Sequence, residues 1–476
     1  MKMEVELISK EIIKPSSSTP PHLRTMRLSL LDQGGGLGHV PIILYYTKRD
    51  ANFNINEKVI NQLKDSLSKT LALFYPLAGR VKDRFSIDCD DEGVLFSTTR
   101  VNCDLANLIT TQPPDLQSFP ALVPYYVFVD PRDKVVQVAI QLNIFTCGGV
   151  VISGCFMHKI MDGATIGAFL KSWASNSIAS LGLSSSPPPP EEEEEEEEEE
   201  KLVYPGASMI PSKQTLPADH SNWPERMLLR EGDGIVQRFL FKSEAISTLK
   251  AKATSERVPN PTRVEAISGF IWKHAMAASK AVWGMQQPSM LSHQMDLRRK
   301  IFEPSLSKYS IGNFTWKVVA HYYPFAEKVE EEEEEKITSL DGLVGLLRAA
   351  IEKTRDDILP KLLQGDDGGY DLFSKFVQEL RETCQSNKNL NPYTFSSWCK
   401  IGFNEVDFGW GKPTWVSPAG AGRVNSIYKN TVVLIEAGLD DRIEAWLTLD
   451  EREMAVLEHD QEFLEFAYVN PAVILP

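Results

Sequence analysis

The chain has 476 residues, 42% hydrophobic and 24% charged, too many for one hydrophobic core and typical of a globular protein of two or three domains. No stretch approaches the ~18 consecutive apolar residues of a membrane span, and the opening MKMEVELISKEIIKP lacks the uncharged core of a signal peptide, so a cytoplasmic protein without a membrane anchor is expected. The net charge of −15 carries no message about partners: 16 glutamates lie in two runs, 191–200 and 330–335, and without them the balance is near +1, with no clustered Lys and Arg to bind nucleic acid.

In chain order, GGGLG (34–38) has no strand–helix frame around it and reads as a flexible surface turn rather than a nucleotide loop. Residues 54–74 place Val59, Ile60, Leu63, Leu67 and Leu71 on one helical stripe, and YPLAGR (75–80) ends that helix with Pro76 and a glycine. VVQVAIQLNIF (135–145) alternates like a half-buried strand, whereas VVISGCFMH (150–158) is almost wholly apolar, as a strand covered on both faces would be. Helical spacing returns from Gly163. SSSPPPPEEEEEEEEEEK (184–201) cannot bury a core and opens a turn-rich crossover over 184–228. This divides the chain into a first domain, 1–183, and a second, 229–476.

The second part opens with a strand and a helix over 234–253, and another helix follows Pro261. The Glu run at 330–335 reads as a disordered surface loop, since like charges repel one another and stay solvated. Residues 431–437 and 442–449 form a strand pair. A closing helix spans 449–467, with Asp450 able to cap it and Glu453 able to reach back. Strands and helices alternate in both parts, which argues for two α/β domains.

His158 then ends a buried strand and Asp162 lies in the following turn, the place where open α/β sheets tend to bind ligands. The chain has no G-x-S-x-G elbow, no H-E-x-x-H and no Walker loop, so hydrolase, zinc and nucleotide chemistry lack support. The six cysteines form no C-x-x-C pair and read as reduced, packed thiols; no metal site is expected. Cys155 falls on the opposite strand face from His158, which disfavours a Cys–His nucleophile. A lone histidine remains, able to take a proton from an attacking alcohol and return it to a leaving group. DFGWGKP (407–413) makes a rigid turn, either facing a ligand or joining structural parts.

His158-x-x-x-Asp162-Gly163 and Asp407-Phe408-Gly409-Trp410-Gly411 together resemble the plant BAHD acyltransferases, which move acyl groups from coenzyme A thioesters. LSLLDQ (28–33), YPLAGR (75–80), PTRVEA (261–266), DLR (296–298), IGN (311–313), SSW (396–398) and IEAWLTL (443–449) agree in order across nearly the whole chain. MHKIMDG with SSWC is most similar to the vinorine synthase-like branch, whose members often acetylate alkaloid or terpenoid alcohols. The resemblance implies two similar-sized, chloramphenicol acetyltransferase-like domains with mixed sheets flanked by helices, and an active-site channel between them.

In that frame His158 is the general base, and Asp162 points away from the channel to pair with Arg298. Asp407, Gly409, Trp410 and Gly411 are structural, with Asp407 near the coenzyme A entrance. Trp398 matches a proposed oxyanion donor, and Lys252 and Thr262 match contacts to the nucleotide phosphates. Met157 replaces the first histidine of the family's common pair, and Asn404 stands where an aromatic residue is common. The resemblance implies a monomeric acetyltransferase that uses acetyl-CoA as co-substrate, holds no resident cofactor and forms no acyl-enzyme. Alternatives are a donor with an aromatic or longer aliphatic acyl group and a phenolic or amine acceptor, a carrier-protein condensation domain, or a non-catalytic binding homologue.

Overall fold

The structure is a computed structural model that describes residues 3–36, 38–47, 55–116, 118–124, 135–180, 203–211, 234–301, 310–324, 331–364, 367–387, 389–419, 429–438 and 441–475. The first Glu run and most of the 184–228 crossover lie outside the described residues. Through the first part run β1 (Val5–Ile13), β2 (Thr25–Arg27), α1 (Leu30–Gly34), β3 (His39–Tyr46), α2 (Glu57–Leu73), β4 (Arg80–Val81), β5 (Ser86–Asp88), β6 (Val94–Val101), α3 (Leu105–Thr110), β7 (Val138–Phe145), β8 (Val150–Met157) and α4 (Gly163–Ser180). The second part holds β9 (Gly234–Phe241), β10 (Ser289–Asp296), β11 (Thr315–Tyr322), β12 (Asn391–Ser397), β13 (Trp415–Pro418), β14 (Thr431–Glu436), β15 (Ile443–Asp450) and β16 (Ala467–Val469).

Two mixed sheets organise the molecule. The first runs β1-β6-β7-β8-β3-β13 and the second β11-β10-β12-β14-β15-β9-β16. Only β6–β7 is parallel in the first, and only β10–β12 and β12–β14 in the second. The first sheet borrows its last strand: β13 pairs antiparallel with β3, Trp415 opposite Tyr45. The chain division drawn from composition therefore does not coincide with sheet membership, because β13 lies far along the second part.

Local sequence explains most elements. Asn56 caps α2 by accepting the Val59 N–H at 3.1 Å, and its buried stripe is Leu63, Ser66, Leu67, Thr70 and Leu71. Val59 and Ile60 sit at the edge of that stripe. Thr262 caps the helix Arg263–Trp283 in a capping box with Glu265, and Gly284 closes it in the left-handed conformation at φ 78°. β8 is buried along its whole length, as its apolar sequence requires.

Four expectations are corrected. β7 is buried on both faces except at Ile144. Its alternating polar residues misled because Gln141 and Asn143 donate to the carbonyls of Ala121 and Leu122, in a turn lying over that face. The Glu run from 331 onward begins a helix, Glu331–Thr338. Glutamate is a good helix former and the run leads directly into helical sequence, so propensity outweighs modest like-charge repulsion. The closing helix is two, Glu451–Leu457 and Gln461–Leu464, split where Asp460 caps the second by accepting the Phe463 N–H. Asp450 caps the first, but Glu453 accepts from the Trp283 indole at 2.8 Å instead of reaching back. GGGLG is the fourth, taken up with the site it touches.

Candidate active site

His158 follows the last residue of β8, and its N–H donates to Gly38 O at 2.9 Å, extending the β8–β3 pairing by one residue. The chain then turns and enters α4. Among the described residues Nδ1 of His158 is buried without a hydrogen-bond partner.

Asp162 does not serve His158. Its Oδ2 accepts from Arg298 Nη1 at 2.7 Å and Phe314 N at 2.9 Å, and its Oδ1 from Arg298 Nη2 and Thr165 N, both at 2.9 Å. Arg298 also donates through Nη2 to Gly312 O at 2.9 Å, and lies over the Phe314 ring at 5.1 Å. Burial would raise the Asp162 carboxyl pKa, but the Arg298 charge and these four donors outweigh it and hold the group below the ordinary carboxylate value. The same pairing, against burial, pushes Arg298 up. Asp162 is thus an ionised brace whose lone pairs are occupied, and Gly163 beside it lets α4 approach Ile401: a Cβ there would stand 2.6 Å from Ile401 Cδ1.

Asp407 builds a separate knot. Its Oδ1 accepts the N–H groups of Gly409 and Gly411, each at 2.8 Å, with those glycines at φ 103° and 101°. That backbone suits glycine, which meets no Cβ penalty there. Phe408 and Trp410 stack at 5.5 Å, and Phe408 meets Trp173 of α4 edge-on at 4.7 Å. Ser177 of α4 donates to Phe408 O at 3.3 Å. From Gly163 to Ser177 the helix rises ~21 Å, so the knot stands at the far end of α4 from His158.

Trp398 directly follows β12, with 9% exposure, and packs edge-on against Phe403 at 5.7 Å. Its carbonyl accepts the N–H of Ile401 at 3.3 Å, which ties it to the residue contacted by α4. Lys252 and Thr262 stand apart on exposed helix ends of the second part. The Thr262 hydroxyl accepts the Glu265 N–H at 3.1 Å, while Lys252 Nζ lies 5.9 Å over the Phe466 ring. The structure thus gathers His158, Asp162, Gly163 and Arg298 at one point, sets the Asp407 knot at another, and leaves Lys252 and Thr262 outside both.

Sequence reasoning missed part of this arrangement. GGGLG is no free surface turn: a Cβ on Gly35 would lie 2.7 Å from His158 O and 3.2 Å from Asn313 Nδ2, so the glycine permits close approach to His158. Lys159 is buried and its Nζ donates to Gln33 O at 3.1 Å. Asn313 and Asp32 also hold the loop. LSLLDQ and IGN were visible as shared stretches, but no local pattern signals hydrogen bonds that join positions so far apart in the chain.

The crystal structure of vinorine synthase superposes with a TM-score of 0.73 at 28% identity, covering 97% of this chain and 98% of that one. With a histidine presented at a strand end between two mixed sheets, this defines the class: an acyltransferase of the two-domain, chloramphenicol acetyltransferase-like fold. Residues 3–464 match the model of the Transferase family. Epi-neemfruitin B 7-O-acetyltransferase of Melia azedarach is 37% identical over 99% of this chain and 100% of its own length. A limonoid 7-O-acetyltransferase of Citrus sinensis is 36% identical over 98% of this chain and 99% of its own. The chain belongs to this family, the plant BAHD acyl-CoA-dependent acyltransferases.

Proposed function

We propose that this enzyme transfers an acetyl group from acetyl-CoA to a hydroxyl of a plant specialised metabolite, with a limonoid-type terpenoid alcohol as the first acceptor class and an alkaloid alcohol as the second. The Citrus limonoid 7-O-acetyltransferase and the Melia epi-neemfruitin B 7-O-acetyltransferase, both similar along their whole length, support the acetyl donor, and the former supports the acceptor class. The observation that carries the chemistry is His158: a histidine directly after a buried strand, with Nδ1 enclosed and without a partner among the described residues.

In this reading Nε2 takes the acceptor hydroxyl proton as that oxygen attacks the thioester carbonyl. The tetrahedral oxyanion is stabilised by the indole N–H of Trp398. Collapse breaks the C–S bond, and the imidazolium returns its proton to the departing thiolate, giving ester and free coenzyme A. No acyl-enzyme forms, consistent with Cys155 being buried within β8, 2% exposed. Lys252 and Thr262 serve the nucleotide phosphates, and the Asp407 knot is structural. The domains are taken as 1–183 and 229–476, joined by the 184–228 crossover, with β13 lent back to the first. The enzyme works as a cytoplasmic monomer. Among the described residues no helix is long and apolar enough to cross a membrane.

The test offers acetyl-CoA with limonoid and alkaloid alcohols to wild type and His158→Ala, reading ester by mass spectrometry and thiol release by colorimetry. O-acetylation that falls roughly 10²–10⁴-fold in the variant is expected. Transfer of aromatic acyl groups to phenolics alone would overturn the substrate class, and full activity of the variant would overturn the base.

A further inference from the structure

We infer that Asn313 is the positioning residue of His158, and that Asp32 in turn positions Asn313. This rests on the reading of His158 as the base. One side-chain amide holds two consecutive peptide carbonyls: Asn313 Nδ2 donates to His158 O at 2.9 Å and to Lys159 O at 3.0 Å. An amide nitrogen carries two hydrogens, and both are used, so the orientation of the group is fixed. Its Oδ1 is buried without a partner among the described residues. Buried acceptors are nearly always satisfied, and the exception here accompanies two bonds to the loop that carries the base.

The amide is itself held. The Asn313 N–H donates to Asp32 Oδ1 at 2.7 Å, while Asp32 Oδ2 accepts from Ser29 N at 3.0 Å and Ser29 Oγ at 2.6 Å. Asp32 and Asn313 are 2% and 3% exposed, so water does not compete for these bonds. Gly35 leaves the space in which carbonyl and amide meet. Arg298 braces the same loop, but at Asp162, beyond the turn. At His158 the backbone is set by Gly38 on its N–H and by Asn313 on its carbonyl. The direction of the ring follows from that backbone, and Asn313 comes from the second part of the chain. The docking of the two parts and the aim of the base are therefore joined through one side chain.

Removing the amide leaves every group proposed to touch substrate in place but frees the peptide that aims the imidazole. A misplacement of about 1 Å at a reacting group costs on the order of 10²-fold. Full-length Asn313→Ala, melting cooperatively, is expected to lose at least about tenfold in kcat while KM for acetyl-CoA stays within about twofold. In a His158→Ala background the same change is expected to leave the residual rate unaltered, because Asn313 acts through His158; a general structural role would lower it further. Asp32→Asn keeps the shape and an acceptor oxygen, so a smaller fall in kcat is expected; this variant carries the test if Asn313→Ala does not fold. Folded Asn313→Ala with kcat within about twofold of wild type, or a further loss in the His158→Ala background, would overturn the proposal. If Asn313→Ala does not fold, an unchanged kcat in Asp32→Asn would do the same. Full activity of His158→Ala would instead strike the base itself, so the two failures are distinct.

Discussion

Asp162 and Arg298 show what a buried ion pair demands of its surroundings. The pair is bidentate, with side chains 2% and 6% exposed, and both carboxylate oxygens accept a backbone N–H as well. Arg298→Ala would leave an uncompensated buried carboxylate and is expected to cost about 3–5 kcal/mol. Arg298→Lys keeps the charge but loses the fork that reaches Asp162, Thr165 and Gly312 at once. The folded Asp162 carboxyl ionises below its ordinary range. Its contribution is therefore complete above the unfolded pKa near 3.9 and fades as pH falls through the folded value. The difference in melting midpoint between wild type and Asp162→Asn, followed from pH 7 to pH 3, should be constant down to about pH 4 and narrow below it. A difference that widens in acid would contradict this account. At this scale the sequence was legible where an apolar run leads up to a polar residue, as where β8 leads into His158. It was opaque where a glycine serves only as space, as at Gly35, or an asparagine serves only as a donor, as at Asn313.

Elements were legible where one physical demand governs. β8 had to be covered on both faces because only Ser153 interrupts its apolar run, and α4 had to start at the turn after Asp162. β7 failed that logic because its polar residues are satisfied by a covering turn, which no period-two pattern reveals. α4 also carries a demand set from outside the helix. Gly163 and Gly167, one turn apart, both face Ile401. A Cβ on Gly163 would meet the mobile tip Cδ1, whereas on Gly167 it would stand 2.7 Å from Ile401 Cγ2 and 3.2 Å from Ile401 O. A side-chain tip can rotate away and a carbonyl cannot. Gly167→Ala is thus expected to destabilise by about 1–3 kcal/mol, and Gly163→Ala by less. Urea unfolding of the two variants checks the order; Gly163→Ala as the worse of the pair would refute the argument.

At the scale of the whole molecule the composition break near 184 revealed that there are two parts, but not how they are tied. Nothing local to Trp415–Pro418 says that its partner is β3, some 370 positions earlier, as the Tyr45–Ser417 hydrogen bond records with a separation of 372. β13 sets Trp415 in the first sheet, where its indole donates to Glu444 Oε1 at 3.2 Å and Oε2 at 3.1 Å on β15 of the second. Arg238 of β9 pairs with Glu444 at 2.9 Å and lies over the Trp415 ring at 5.0 Å, and Trp446 donates to Glu444 Oε2 at 3.3 Å. This cluster joins the two sheets around one carboxyl, whose pKa burial raises even with Arg238 drawing it down.

Arg238→Met removes the opposing charge, so the folded pKa of Glu444 rises further and the group is left to be desolvated alone. The cost near pH 8 is expected to be about 3–5 kcal/mol. A neutral Glu444, however, still offers its carbonyl oxygen to both indoles. A raised folded pKa means stability fully present below the unfolded value near 4.3 and lost as pH rises through the folded one. The variant should therefore recover toward wild type as pH is lowered from 8 to 5, a window that lies above the one in which the Asp162→Asn difference narrows. Thermal melts of Arg238→Met across that range test it directly. A constant deficit would show that Arg238 contributes by packing on Trp415, with its charge unimportant to the joint between the sheets.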